Sequence, residues 1–115
     1  MLLRSKQSLV FTSTMKKLSI KPESFFRVLA ETKRSQVAEM VLEPGKSTGG
    51  SENVHKESDQ WLYIVDGNGK AIIEGKEVKL KTGDLILIEK GETHEIINEG
   101  KALLRTFSIY APPAY

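Results

Sequence analysis

The stretch DQWLYIVDGNGKAIIEGKEVKL, Asp59–Leu80, contains three short β-strand patterns separated by glycine. DQWLYIVDG is typical of a strand because aromatic and β-branched residues predominate between its polar ends. The letters DGNG that follow, Asp66–Gly69, predict a hairpin turn, since Gly and Asn tolerate positive φ. A second turn, at Glu74–Lys76, separates KAIIEG from KEVKL. This stretch therefore predicts a β-rich fold.

The same pattern continues on both sides of this stretch. QVAEMVLEPG alternates and then stops at Pro44–Gly45, and GDLILIEKGETHEIINEG gives two strands around Gly91. ALLRTFSIYA is the last strand pattern, while SFFRVLA fits either a first strand or a helical turn. No segment has a long apolar pattern at helical spacing, and turn signals recur roughly every 8–12 residues. We therefore expect an all-β sandwich or barrel.

Composition excludes several classes of protein. A chain of 115 residues with 39% hydrophobic and 28% charged residues fits one ordinary globular domain. The formal net charge of +2, with Lys and Glu interspersed, argues against nucleic acid as a partner. No apolar run approaches the ~20 residues that span a membrane. Nothing in the sequence argues for export, so we expect a cytoplasmic protein. The chain has no cysteine, so nitrogen and oxygen atoms would have to hold any transition metal.

The first fourteen residues, MLLRSKQSLVFTST, contain no acidic residue and precede a second methionine at Met15. They fit an upstream start, a targeting segment or a genuine strand, and the segment is too short and too broken by charge for a secretory signal. We favour a strand at Leu9–Phe11 that pairs with the body or with a neighbouring subunit. The expected division is an N-terminal extension at 1–23, which could be swapped in a homodimer, and one barrel domain at 24–115.

Four polar residues are candidates for a shared site. Asn53 and His55 lie on one face of an extended segment, because side chains alternate along a strand. Gln60 starts the next strand after a polar turn, and His94 follows the turn at Gly91. Two strand ends and one returning strand could therefore direct all four side chains at one point. Spacing alone does not decide between ligands and ordinary surface residues.

Two motifs give the chain a resemblance to the cupins. The first motif of that family is His-x-His, a short spacer, Glu, six residues and Gly; here Asn53 and His55 occupy the His positions, and Gln60 stands at the Glu position before Gly67. GDLILIEKGETHEIIN resembles the second motif, with His94 at its metal-binding position. The C-terminal YAPPAY is also similar to the tail of many small single-domain cupins. The resemblance covers Val37 to Tyr115.

The resemblance implies a double-stranded β-helix, or jelly-roll, barrel that holds one divalent metal in its mouth. The implied ligands are Asn53, His55, Gln60 and His94. Two of them depart from the three His and one Glu usual in the family, and neutral amide oxygens bind transition metals more weakly than imidazole or carboxylate. The site would then contain no formal negative charge. Zn, Mn, Fe, Ni and Cu all remain compatible with nitrogen and oxygen ligands.

Three functions are compatible with these residues. The first is a metal-dependent cupin that acts on a small-molecule substrate by isomerase, oxygenase or lyase chemistry, although no catalytic acid or base is recognisable. The second is a non-enzymatic barrel that binds a small polar or sugar-like ligand beside a degenerate metal site. The third is a structural module with a vestigial site. The barrel fold by itself does not select among them.

Overall fold

The computed structural model describes residues 15–49 and 54–115, and these residues form an all-β fold of eight strands. The strands are β1 (Phe26–Glu31), β2 (Gln36–Leu42), β3 (Asp59–Asp66), β4 (Asn68–Ile73), β5 (Lys76–Lys81), β6 (Leu85–Ile88), β7 (His94–Asn98) and β8 (Leu104–Ala111). The expectation of an all-β protein is confirmed, and SFFRVLA contributes a strand rather than a helical turn. No helix in the described parts of the chain is long and apolar enough to cross a membrane.

The strands form two antiparallel sheets. One sheet has the order β1-β2-β8-β3-β6 and the other β5-β4-β7. After β2, the loop pairs with the free edge of β7 through a bridge between Ser47 and Ile97. The chain then returns to the first sheet for β3 and to the second for β4 and β5, and it alternates in the same way through β6, β7 and β8. This winding between two facing sheets is the jelly roll expected from the sequence.

One predicted turn is wrong. Asp66–Gly69 does not join a hairpin, because β3 pairs with β6 and β8 whereas β4 pairs with β5 and β7. The chain crosses here between the sheets, and the glycines are needed for close approach. A Cβ atom at Gly69 would lie 2.4 Å from the Ile97 carbonyl oxygen. The turn between β4 and β5 is a true hairpin, with Glu74 and Gly75 both at positive φ.

The apolar core lies between the sheets. Alternation along the strands directs one face of each inward, so that Leu62 and Ile64 on β3 are fully buried while Trp61 is 42% exposed. The core cluster consists of Leu42, Leu62, Ile64, Ala71, Leu80, Ile88, Ile96 and Leu104. Gln60 and His94 occupy inward positions on the same strands as core residues. The core therefore fixes the strands that carry the candidate site.

Two buried polar side chains attach peripheral segments to the barrel. The Glu39 carboxylate accepts hydrogen bonds from the backbone N–H groups of Glu23 (3.3 Å) and Ser24 (2.8 Å). Asn98 donates from Nδ2 to the carbonyl oxygens of Leu42 and Ala102 at 2.8 and 2.9 Å. Because these bonds satisfy buried polar atoms, both residues have a structural explanation. The N-terminal extension can be followed only from Met15, so the proposed strand at Leu9–Phe11 lies outside the described residues.

Candidate metal and ligand site

Three of the four predicted site residues lie together at one end of the barrel. The ring centroids of His55 and His94 are 4.9 Å apart, and Gln60 lines the same cavity of about 380 Å³. Asn53 lies outside the described residues. The convergence expected from strand parity is therefore present for His55, Gln60 and His94, and their action as metal ligands stays a prediction.

Each histidine is held by the local backbone. The Gly91 backbone N–H donates to the His55 carbonyl oxygen at 2.8 Å, which ties the loop carrying His55 to the turn before β7. The Nδ1 atom of His94 is 3.3 Å from the Glu92 carbonyl oxygen. Because a carbonyl oxygen can only accept, the proton is assigned to Nδ1 and the Nε2 lone pair is left available for a metal or a ligand.

Burial keeps both imidazoles in the neutral form. The pKa of His55 is lowered mainly by desolvation and further by the nearby His94, while the Gln60 side chain acts in the opposite direction. Desolvation also lowers the pKa of His94 against smaller opposing effects of Glu92. Neutral imidazole is the form that binds metals, so the surroundings of both rings favour ligation at neutral pH.

Gln60 has an unpaired buried oxygen. Its side chain is only 4% exposed, and its Nε2 donates to Ser108 Oγ at 2.9 Å. The other amide atom, Oε1, has no partner with hydrogen-bond geometry among the described residues, although the Gln60 side chain is near enough to His55 to raise the pKa of that ring. A buried oxygen without a donor costs about 1–3 kcal/mol, so such an atom needs an explanation. A cation or a ligand donor between Gln60 and His55 would satisfy it.

Two tyrosines belong to the site and were not predicted. The Tyr110 ring lies 5.0 Å from that of His55, and the Tyr115 ring lies 5.5 Å from it, measured between centroids. Burial raises the pKa of the Tyr110 hydroxyl far above its usual range, so it remains protonated. The alternation of Thr106, Ser108 and Tyr110 along β8 was a usable signal, because it places polar side chains on one inward face.

The hydroxyl groups continue the hydrogen bond that begins at Gln60. The Ser108 hydroxyl lowers the pKa of Tyr110 and the Tyr115 hydroxyl raises it, because both interact with the Tyr110 hydroxyl. A series of neighbouring polar groups thus runs from the Gln60 amide through Ser108 and Tyr110 to Tyr115.

The residues fit a divalent metal as a site of low charge. Two neutral imidazoles and one unpaired amide oxygen are suitable donors for Zn, Mn, Fe, Ni or Cu. No group of three or more His, Cys, Asp or Glu residues that could hold a metal occurs in residues 15–49 and 54–115. The donor set is therefore weaker and less charged than three His and one Glu, as the departures at Asn53 and Gln60 imply.

Comparison with known proteins assigns the family. The model of the cupin domain matches residues 38–110, which is more than half of the chain. A pectin degradation protein, KdgF of Dickeya dadantii, is 37% identical over 65 residues, which are 55% of this chain and 59% of that protein. An oxalate-binding protein of Thermotoga maritima is 35% identical over 74 residues, 63% of this chain and 58% of that protein. The match spans less than two thirds of either relative.

The fold agrees with this match. A crystal structure from Bacillus halodurans superposes with a TM-score of 0.76 at 28% identity, covering 80% of this chain and 73% of that one. The cupin-domain model matches more than half of the chain, the strands form two facing sheets, and His55 and His94 line one cavity. The chain belongs to the cupin family.

Proposed function

We propose that the protein is a small metal-binding cupin that acts on a small molecule at His55, Gln60 and His94. The observation that carries this proposal is the buried, unpaired Oε1 atom of Gln60 in the cavity that the two imidazoles line. A bound metal would supply a Lewis acid able to polarise a substrate oxygen. Asn53 is proposed as a fourth ligand on the basis of its position in the motif.

The protein's own residues define how a substrate would be bound. His94 offers Nε2 because its Nδ1 is engaged with Glu92, and Gln60 is oriented by Ser108. Phe25, Phe26 and Met40 also line the cavity and give it apolar walls. Such a combination of apolar walls and a few polar atoms is typical of sites for small organic ligands. The relatives named for pectin degradation and for oxalate binding support an oxygen-rich substrate.

Calorimetric titration of untagged, chelator-treated protein with Zn²⁺, Mn²⁺ and Ni²⁺ tests the proposal. The parent should bind at least one of these ions at a stoichiometry of about one. His94→Ala should lose more affinity than Asn53→Ala, because an imidazole nitrogen is the stronger donor to most transition metals. If the parent binds none of the three ions, the metal function is wrong.

Gln60→Glu sharpens this test. The substitution should strengthen metal binding, because it adds the anionic ligand that cupins usually supply. Asn68→Asp is a matched control that adds the same charge at the exposed start of β4, at the opposite end of that strand from Ile73, which pairs with His94. If Gln60→Glu binds none of the three ions more tightly than the parent does, the lack of an anionic ligand does not limit metal binding, and this part of the proposal is wrong.

The assembly proposed is a homodimer. The outer face of the five-stranded sheet carries Trp61, Leu85 and Ile109, which are 42%, 55% and 37% exposed. Trp61 pairs directly with Ile109, so these side chains form part of one apolar surface of the kind that marks interfaces. Light scattering at micromolar concentration should give a dimer. A monomer that is unchanged by deletion of the residues before Met15 would contradict it.

A further inference from the structure

Residues 112–115 form a short segment that reaches the cavity. They follow β8 and belong to none of the strands in the described part of the chain. The Tyr115 ring contacts Phe26, at the start of β1, and His55, in the loop before β3, with centroid separations of 4.7 and 5.5 Å. Both of these residues line the cavity. The ring therefore connects two parts of its wall that come from different elements of the fold.

Tyr115 lies on the solvent side of His55. The centroid of the His55 ring is 4.9 Å from that of His94, 5.0 Å from that of Tyr110 and 5.5 Å from that of Tyr115. His94 and Tyr110 are buried, whereas Tyr115 is 61% exposed. A ring that touches the cavity on one side and solvent on the other covers the group beneath it. Among these three neighbours, Tyr115 is thus the cover of His55.

A buried side chain of the barrel holds this segment in place. Gln36 donates from Nε2 to the Tyr115 carbonyl oxygen at 2.7 Å. Its Oε1 accepts from the backbone N–H groups of Ala114 and Tyr115 at 3.1 and 3.0 Å. Nε2 also donates to the Glu31 carboxylate at 2.6 Å, which orients the amide independently of the segment. A segment held by side-chain hydrogen bonds can open locally while the sheets stay folded, and Gln36 remains oriented to bind it again.

We propose that residues 112–115 act as a closing segment that controls access to the cavity. In the closed state the Tyr115 ring covers His55, and Gln36 holds the backbone of the segment. The open state is the minor one, and it admits ligands too large to pass the ring. The rates at which such ligands enter and leave then depend on the opening of the segment. This inference concerns access alone and does not require that the cavity hold a metal.

Acylation of histidine in chelator-treated protein tests the proposal. Diethyl pyrocarbonate transfers an ethoxycarbonyl group to a nitrogen of neutral imidazole. The chain contains two histidines, so mass spectrometry of peptides from untagged protein follows each one separately. His55 should react slowly in the parent because Tyr115 covers it. Tyr115→Ala should raise the His55 rate about tenfold or more, since a minor state is typically populated at about 10% or less.

Three further variants separate the parts of the proposal. Tyr115→Phe keeps the ring and should react at the rate of the parent. Tyr63→Ala is a matched control, because it removes the same side chain from a ring that packs on Phe107 and does not line the cavity. It should leave the His55 rate unchanged. Gln36→Leu should raise that rate by releasing the segment; if this variant does not fold, the two Tyr115 variants and the control decide.

The possible outcomes have distinct meanings. Equal His55 rates in the parent and in Tyr115→Ala would show that the ring does not cover His55 and would overturn the proposal. An equal increase in Tyr115→Phe would assign the protection to the hydroxyl, and an equal increase in Tyr63→Ala would assign it to general loosening; either result also overturns it. Calorimetric titration with metal ions is a separate measurement, so failure of the metal function and failure of the closing segment are distinguishable.

Discussion

Gln36 and Gln60 are the same residue type and both are buried, but they lie in two regions with opposite properties. Gln36 is 1% exposed and both of its amide atoms have partners, including Glu31 and the backbone of Ala114 and Tyr115. Gln60 is 4% exposed and has a partner only at Nε2. A fully satisfied buried amide stabilises the fold, whereas an unsatisfied one lowers stability. The difference identifies the first as structural and the second as a candidate binding group.

Replacing Gln36 should have the largest effect on stability. Gln36→Leu removes three hydrogen bonds to the segment 114–115 and leaves two backbone N–H groups without their partner. We expect a loss of about 2–4 kcal/mol in the free energy of unfolding. Urea denaturation followed by fluorescence measures it. A loss below ~1 kcal/mol would contradict the structural role that the hydrogen bonds assign to Gln36.

Metal binding should stabilise the folded protein through the cavity that contains Gln60. At a free concentration a hundred times its Kd, a bound ion raises the free energy of unfolding by about 2.7 kcal/mol. The increase should be the same in the parent and in Asn68→Asp, because Asn68 is exposed and is not among the residues that line the cavity. It should be much smaller in His94→Ala. Urea denaturation with and without Ni²⁺ gives the three values, and an equal gain in His94→Ala would place the metal elsewhere.

Removing the unpaired amide should cost little in metal-free protein. Gln60→Met keeps a similar volume and eliminates the buried Oε1, while it also removes the hydrogen bond to Ser108. These effects oppose each other, so we expect a change within about 1 kcal/mol of the parent. Metal affinity should fall at the same time, because Gln60 is one of the proposed ligands. Binding sites are commonly kept at the expense of stability. A loss of 2 kcal/mol or more would make Gln60 structural.

The Tyr115 side chain should have the smallest effect on stability. Gln36 binds the backbone of Tyr115, so Tyr115→Phe keeps those bonds and the aromatic packing. Only the interaction of the Tyr115 hydroxyl with Tyr110 is lost, and we expect a cost of about 0.5 kcal/mol. Thermal unfolding monitored by circular dichroism is sufficient. A cost near that of Gln36→Leu would mean that the side chain, rather than the backbone, attaches this segment.

The site could be predicted in part. Alternation along β3 places Gln60 on the face of Leu62 and Ile64, and the structure has all three buried. His94 follows in the same way from its position with Ile96 on β7. Tyr115 could not be found this way, because it follows the last strand and no period governs such a segment. Its place depends on Gln36, which is 79 residues away in the chain.

The sequence by itself determined the all-β class and the inward face of each strand, because alternation with a period of two is a local property. It did not determine which strands pair. DGNG has the composition of a hairpin turn, yet the chain crosses between the sheets there, and Gly69 is needed because its backbone approaches Ile97. Only the tertiary structure showed that Gln36 is satisfied and Gln60 is not. Hydrogen-bond satisfaction depends on partners brought together across long separations, and residue type alone does not encode it.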